Sequence, residues 1–182
     1  MSNLKELTWE HHKNAERQDF VKVLMSGNIS PELYATYLYN QHPCYDIIEA
    51  LGMTWGLITD PAIRRAPYIL EDWKELWPHI NEKPPQMLEV TKDYLDHVKT
   101  IVDDPDKIMA HIYVRHMGDL SGGQMIKKRV PGEGRYYQFS KPVDELKDLI
   151  RTKLNDDMAD EAKICFDFAT RLFQEMNEIK DM

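Results

Sequence analysis

Apolar residues return at helical spacing along almost the whole chain, and the strict alternation of a half-buried strand is nearly absent, so the fold expected is all-α. The helix punctuation agrees. Ser30 with Pro31, Asp60 with Pro61 and Asp104 with Pro105 each set a capping side chain before a proline, whose missing N–H costs nothing in a first helical turn. Asn3 and Glu6 are spaced as a capping box opening a first helix, with Leu4, Leu7, His11 and Ala15 on one face. A short helix is expected over residues 19–25, stopped by Gly27. The long helix from Pro31 should be kinked or broken at Pro43, because proline removes a backbone donor and clashes with the preceding turn. Lys83, Pro84 and Pro85 mark a loop, Pro131 should end a helix carrying Gly118 to Gly123, and residues 132–134 form a loop before helices near 143–155 and 160–179. These signals amount to seven or eight helices.

A chain of 182 residues builds one core comfortably and two poorly, so a single domain over residues 1–182 is expected. A net charge of −8 argues against nucleic acid, which needs a basic face to displace counterions. Cys44 and Cys165 are the two cysteines and show no CxxC spacing, so reduced thiols are expected rather than disulfides or zinc. No apolar run approaches the roughly 18 residues of a membrane span, and both ends are polar. A cytoplasmic protein without a membrane anchor follows as the expectation.

The segment most informative about chemistry is YVRHMGDLSGGQMIKK, residues 113–128, which puts three glycines inside a helical pattern. An interior glycine costs a helix about 1 kcal/mol relative to alanine, so three together need a reason. Gly118 and Gly122 are four apart and share a face, with Gly123 adjacent. That bare backbone suits either the close approach of a flat ligand or the close packing of a second helix. A phosphate loop is excluded, since no Gly-Lys-Ser/Thr follows and the context is helical.

GDLSGGQ followed by a basic pair resembles the signature helix of the heme oxygenase family. HKNAERQDF, residues 12–20, is similar to that family's proximal-ligand helix, Gly132 to Gly134 to its GEG loop, and KDLIRTKLN, residues 147–155, to its propionate-binding helix. The resemblance covers nearly the whole chain, least clearly residues 53–92. It implies a helical bundle that sandwiches heme between a proximal helix and the glycine-rich distal helix.

The resemblance also implies residue roles. His12 becomes the axial iron ligand, although His11 lies nearer the centre of the apolar face; adjacent helical residues point about 100° apart, so only one of them serves an axial site. Glu16, one turn on, would orient the imidazole. Lys5, Lys147 and Arg151 would hold the propionates, Arg151 with a fork suited to carboxylate. Asp119 would order water and supply a proton, with Tyr113 and Arg115 near that network and Gly118, Gly122 and Gly123 leaving room at the ring. Phe166 and Phe173 match aromatic positions of the pocket. Ala169 departs from the pattern, because some relatives carry an asparagine there. The basic run Lys127, Lys128, Arg129 ends its helix, which suits the helix dipole, and resembles a docking patch for an acidic electron donor.

The implied activity is a heme oxygenase of heme catabolism or bilin biosynthesis. Heme b is both substrate and cofactor, O2 is co-substrate, electrons come from ferredoxin, and the products are biliverdin IXα, CO and Fe2+. A monomer is implied, with a biliverdin reductase as a downstream partner. Two alternatives share the scaffold: a non-catalytic heme carrier, and a di-iron oxidase, for which the Glu-x-x-His helical pairs are missing. A helical interaction module would leave the glycine cluster without a purpose.

Overall fold

A computed structural model describes residues 2–80 and 82–180, and among them there is no strand. The helices are α1 (Leu4–Leu7), α2 (Trp9–Glu16), α3 (Asp19–Met25), α4 (Pro31–Thr54), α5 (Ala66–Leu76), α6 (Glu89–Lys99), α7 (Pro105–Ser121), α8 (Gly123–Ile126), α9 (Val143–Arg151) and α10 (Ala159–Ile179). Single 3-10 turns lie at Pro61–Ile63, Trp77–His79, Arg135–Tyr137 and Asp156–Met158. The all-α expectation holds.

The proline-led starts form as expected. Ser30 accepts from the Leu33 N–H, Asp104 from Lys107 and Asp60 from Ala62, although Asp60 opens only a 3-10 turn. Other boundaries differ. Asn3 makes no side-chain cap; its own N–H instead donates to Asp156 at 2.6 Å, tying the start of the chain to the turn before α10. The first helix breaks at Thr8, whose buried hydroxyl donates back to the Leu4 carbonyl, and Leu7 is left exposed. Back-bonding by a threonine competes with the helix ladder and turns the chain there.

Pro43 lies inside α4 without ending it. A proline there costs on the order of 3 kcal/mol. This helix offsets the cost by burying Tyr34, Leu38, Tyr45 and Ile48, each worth about 1.5–3 kcal/mol. The distal helix, conversely, stops sooner than Pro131 suggested: α7 ends at Ser121, Gly122 is the joint, and α8 adds one turn to Ile126. Lys127, Lys128 and Arg129 therefore occupy the turn after α8 rather than a helix end.

Two apolar clusters fill the interior. One gathers Ile48, Ile108, Ile112, Leu146 and Ala162; the other gathers Phe20, Leu38, Ile69, Tyr136 and Met176. Phe168 and Phe173 of α10 touch both, so α10 joins the two halves around the cavity described next. No helix among the described residues is long and apolar enough to cross a membrane.

Candidate functional site

α1 to α4 and α7 to α10 all contribute to the wall of a cavity of about 1510 Å³. That exceeds the 300–1,000 Å³ usual for small-ligand sites. Every residue given a role in the pocket from the sequence reaches its wall: Lys5, His12, Glu16, Tyr113, Arg115, Gly118, Asp119, Gly122, Gly123, Lys147, Arg151 and Phe166. Phe173 and Ala169 line it too.

On the α2 side, His12 Nε2 lies 2.7 Å from Glu16 Oε1, the one-turn pair that the spacing predicts. A carboxylate that engages one imidazole nitrogen leaves the other for a metal and limits the ring's rotation. Phe166 stacks on the same ring at 5.0 Å between centroids and 13° between planes, and Trp9 meets it edge-on at 5.5 Å. His11 turns elsewhere: its Nδ1 contacts Asp167 at 2.9 Å in an exposed pair, and it is not on the cavity wall. The helical angle between neighbours thus separates the two histidines as expected.

On the α7 side, the glycines divide. A Cβ built at Gly118 would meet nothing within 4 Å, and one at Gly122 only the Gly118 carbonyl at 3.8 Å. Their bare backbone faces open space, as a broad flat ligand requires. Gly123 differs, since a Cβ there would sit 2.6 Å from Tyr137 Cδ1. Its missing side chain admits the Tyr137 ring, so Gly123 touches the cavity but serves packing first.

Asp119 is buried beside these glycines. It accepts from Tyr45 Oη at 2.8 Å, and Tyr45 in turn accepts from Tyr136 Oη at 2.8 Å. Burial pushes Asp119 up to about 6, against the opposing pull of His116, the Tyr45 hydrogen bond and Arg65. Burial also holds Tyr45 and Tyr136 well above an ordinary phenol, so both stay protonated donors. Arg115 donates from Nε to Tyr94 Oη at 2.9 Å and from Nη1 to Gln41 Oε1 at 3.0 Å. Tyr113 is nearly buried, and burial raises its pKa.

Lys5, Lys147 and Arg151 bring three cations to the wall. Arg151 already pairs with Asp148 at 3.0 Å, one turn back on α9, but both side chains are more than half exposed, and such a pair is readily exchanged for another anion. The sequence reading missed Gln41, Tyr45, Tyr136 and Tyr137. Nothing in their spacing sets them apart from ordinary core; they meet Asp119 and the glycines only through the crossing of α4 and the loop at 132–138. Arg65 holds that loop from below, donating from Nη1 to the Tyr136 and Gln138 carbonyls at 2.9 and 2.6 Å. Gly132 and Gly134 shape it with φ of +78° and +65°, which side-chain-bearing residues rarely adopt.

These features define an all-helical protein built around a deep slot for a large planar ligand, with one histidine available to a metal and three cations for anionic substituents. Comparison with known proteins makes the class specific: the chain belongs to the heme oxygenase family, whose model matches residues 1–181. It is 27% identical to mouse heme oxygenase 2 over 216 residues, covering 98% of this chain and 66% of the mouse protein. It is 29% identical to heme oxygenase 2 of Synechocystis over 194 residues, covering 93% of this chain and 74% of the relative. The chain thus spans a little under two-thirds of the mammalian relative's length. The crystal structure of heme oxygenase-1 from Synechocystis in complex with heme shares the fold with a TM-score of 0.86 at 23% identity, over 98% of this chain and 92% of that one. The structure of heme oxygenase from Leptospira interrogans has a TM-score of 0.82 at 29% identity, over 94% of this chain and 97% of that one.

Proposed function

We propose that this chain is an active heme oxygenase, opening heme b with O2 and donated electrons to biliverdin, of the IXα isomer, with CO and Fe2+. The observation that carries the reading is the joining of His12 with Glu16 and the open backbone of Gly118 and Gly122, beside buried Asp119, on the wall of one large cavity. When bound, the heme supplies the iron at which O2 is activated.

The chain's own residues supply the rest. His12 holds the ring by one imidazole nitrogen while Glu16 orients the other. Gly118 and Gly122 admit the ring plane. Asp119, with a pKa of about 6, is mostly ionised at neutral pH yet close enough to titration to pass a proton through ordered water. Tyr45 and Arg115, fixed by Tyr136, Gln41 and Tyr94, hold the hydrogen-bond framework around it, and Tyr113 closes the wall. Proton delivery through ordered water would let the Asp119 carboxyl act without itself contacting the bound heme. Ala169 offers no polar group, so Tyr45 and Arg115 carry the network without one from that position. Lys5, Lys147 and Arg151 pair with the propionates and set the rotation of the ring.

Ferredoxin is the proposed donor, supported by the basic turn Lys127, Lys128, Arg129 beside exposed Met125. A cytoplasmic monomer that passes biliverdin to a reductase completes the reading. Titration with hemin, followed by reductant under O2 with catalase present, tests it: a stoichiometric Soret band should decay as biliverdin absorption rises. A Soret band that persists would mark a heme carrier, and no band at all would reject the heme site.

A further inference from the structure

Away from the cavity, α6, α7 and α10 bring two imidazoles and a carboxylate together. His97 of α6, His111 of α7 and Glu161 of α10 each offer one ligand atom, and the three atoms lie within 4.8 Å of one another. His97 Nε2 is 2.7 Å from Glu161 Oε1, and His111 Nε2 is 3.7 Å from the same oxygen.

His111 is fully buried, and its Nε2 has no hydrogen-bond partner although it is aimed at Glu161. An orphaned imidazole nitrogen inside a packed protein is costly unless something occupies it. Its other nitrogen is held by Tyr94 Oη at 2.6 Å. Metal-ligating histidines show this arrangement: one nitrogen is fixed by a polar partner, and the other is left as a lone pair toward the ion. Glu161 is 5% exposed and His97 about a quarter exposed, so one side opens to solvent.

We infer that His97, His111 and Glu161 form a binding site for a divalent transition metal of the zinc type. Two imidazoles and a carboxylate are a regular three-ligand zinc set with the fourth position left to water, and Zn–N and Zn–O distances of about 2.0–2.2 Å separate tetrahedral ligands by roughly 3.4 Å. The present separations bracket that value, so small side-chain movements close the site. Bound metal would displace the His97–Glu161 contact and tie α6, α7 and α10 together. Because Tyr94 also accepts from Arg115, the clamp would stiffen the outer end of the network that reaches the cavity.

The test uses the heme-loaded chain, in which His12 and Glu16 are covered, dialysed against micromolar zinc with the retained metal counted by elemental analysis. One zinc per chain is expected, with affinity reduced about a hundredfold or more in His97→Ala and Glu161→Gln and the Soret band unchanged. His97 sits at the surface, so His97→Ala decides the matter should Glu161→Gln fold poorly. Zinc should also raise the melting temperature of the parent and not of His97→Ala. Retention of no zinc, or equal retention by parent and His97→Ala, would overturn the inference and leave the cluster as an ordinary ion pair.

Discussion

The two histidines that the sequence sets side by side have different fates, and a pair of variants separates them. His12→Ala should abolish the Soret band of the hemin complex, because no other residue on the cavity wall, among the described residues, offers an imidazole. His11→Ala should retain it and lose at most about 1 kcal/mol, the worth of an exposed ion pair. The converse spectra would reassign the ligand. Asp119 carries a prediction on pH. Its carboxyl titrates at 3.8 when unperturbed and about 6 when folded, so between those values the native chain keeps a proton that the unfolded chain has released. Stability contributed at this position therefore falls as pH rises through that window, and the full penalty is present above it. Asp119→Asn should consequently melt higher than the parent at pH 8, by on the order of 2–3 kcal/mol, with the gap shrinking as pH falls from 6 toward 4. The same variant should bind hemin and release no biliverdin. Equal melting at pH 8 would mean that burial does not disfavour the charge.

Within the glycine helix, neighbouring substitutions are expected to act in opposite directions. Gly118→Ala adds a methyl into empty space and should stabilise the heme-free chain by up to about 1 kcal/mol through helix propensity alone. Gly118→Leu should fold as well while weakening hemin binding, since the side chain enters the cavity. Gly123→Ala drives a methyl against the Tyr137 ring, which is itself stacked on Tyr136 with centroids 4.1 Å apart, and should cost about 1–3 kcal/mol. Thermal melts of the three heme-free variants, with hemin titrations alongside, check the ordering. A periodicity argument treats the three glycines as one feature; the joint at Gly122 shows two surfaces with different neighbours.

At the scale of the molecule, the cavity depends on a buried cation one hydrogen bond behind its wall. Arg65 is 1% exposed and donates to the carbonyls of Ala62, Tyr136 and Gln138 while stacking 3.9 Å over Phe139. Arg65→Leu would strand those carbonyls and loosen the segment that supplies Tyr136 to Tyr45 and Asp119. A loss of about 3–5 kcal/mol is expected in chemical denaturation, with weaker hemin affinity. Hemin should partly restore the melting temperature, because a ligand that binds only the folded chain stabilises it by about 2.7 kcal/mol at a hundred times its Kd. No restoration would mean that the cavity is not built in the variant.

Much was legible in the sequence, and the reason is locality. Helical periodicity, the three proline-led starts, the His12–Glu16 spacing and the paired bare faces of Gly118 and Gly122 all concern residues within a turn or two of one another, where backbone geometry alone sets the neighbours. Tertiary structure decided the rest. Pro43 is carried because α4 is buried on most sides, Thr8 breaks the first helix, and Gly123 answers to Tyr137 as well as to the cavity. Tyr45 reaches Asp119 across a separation of 74 residues and Tyr136 reaches Tyr45 across 91, in a chain of contacts no spacing announces. His97, His111 and Glu161 likewise belong to three helices, and only the packing of those helices brings a nitrogen without a partner to a carboxylate. Charges and hydrogen-bond donors act over a few ångströms of space, whatever their distance along the chain.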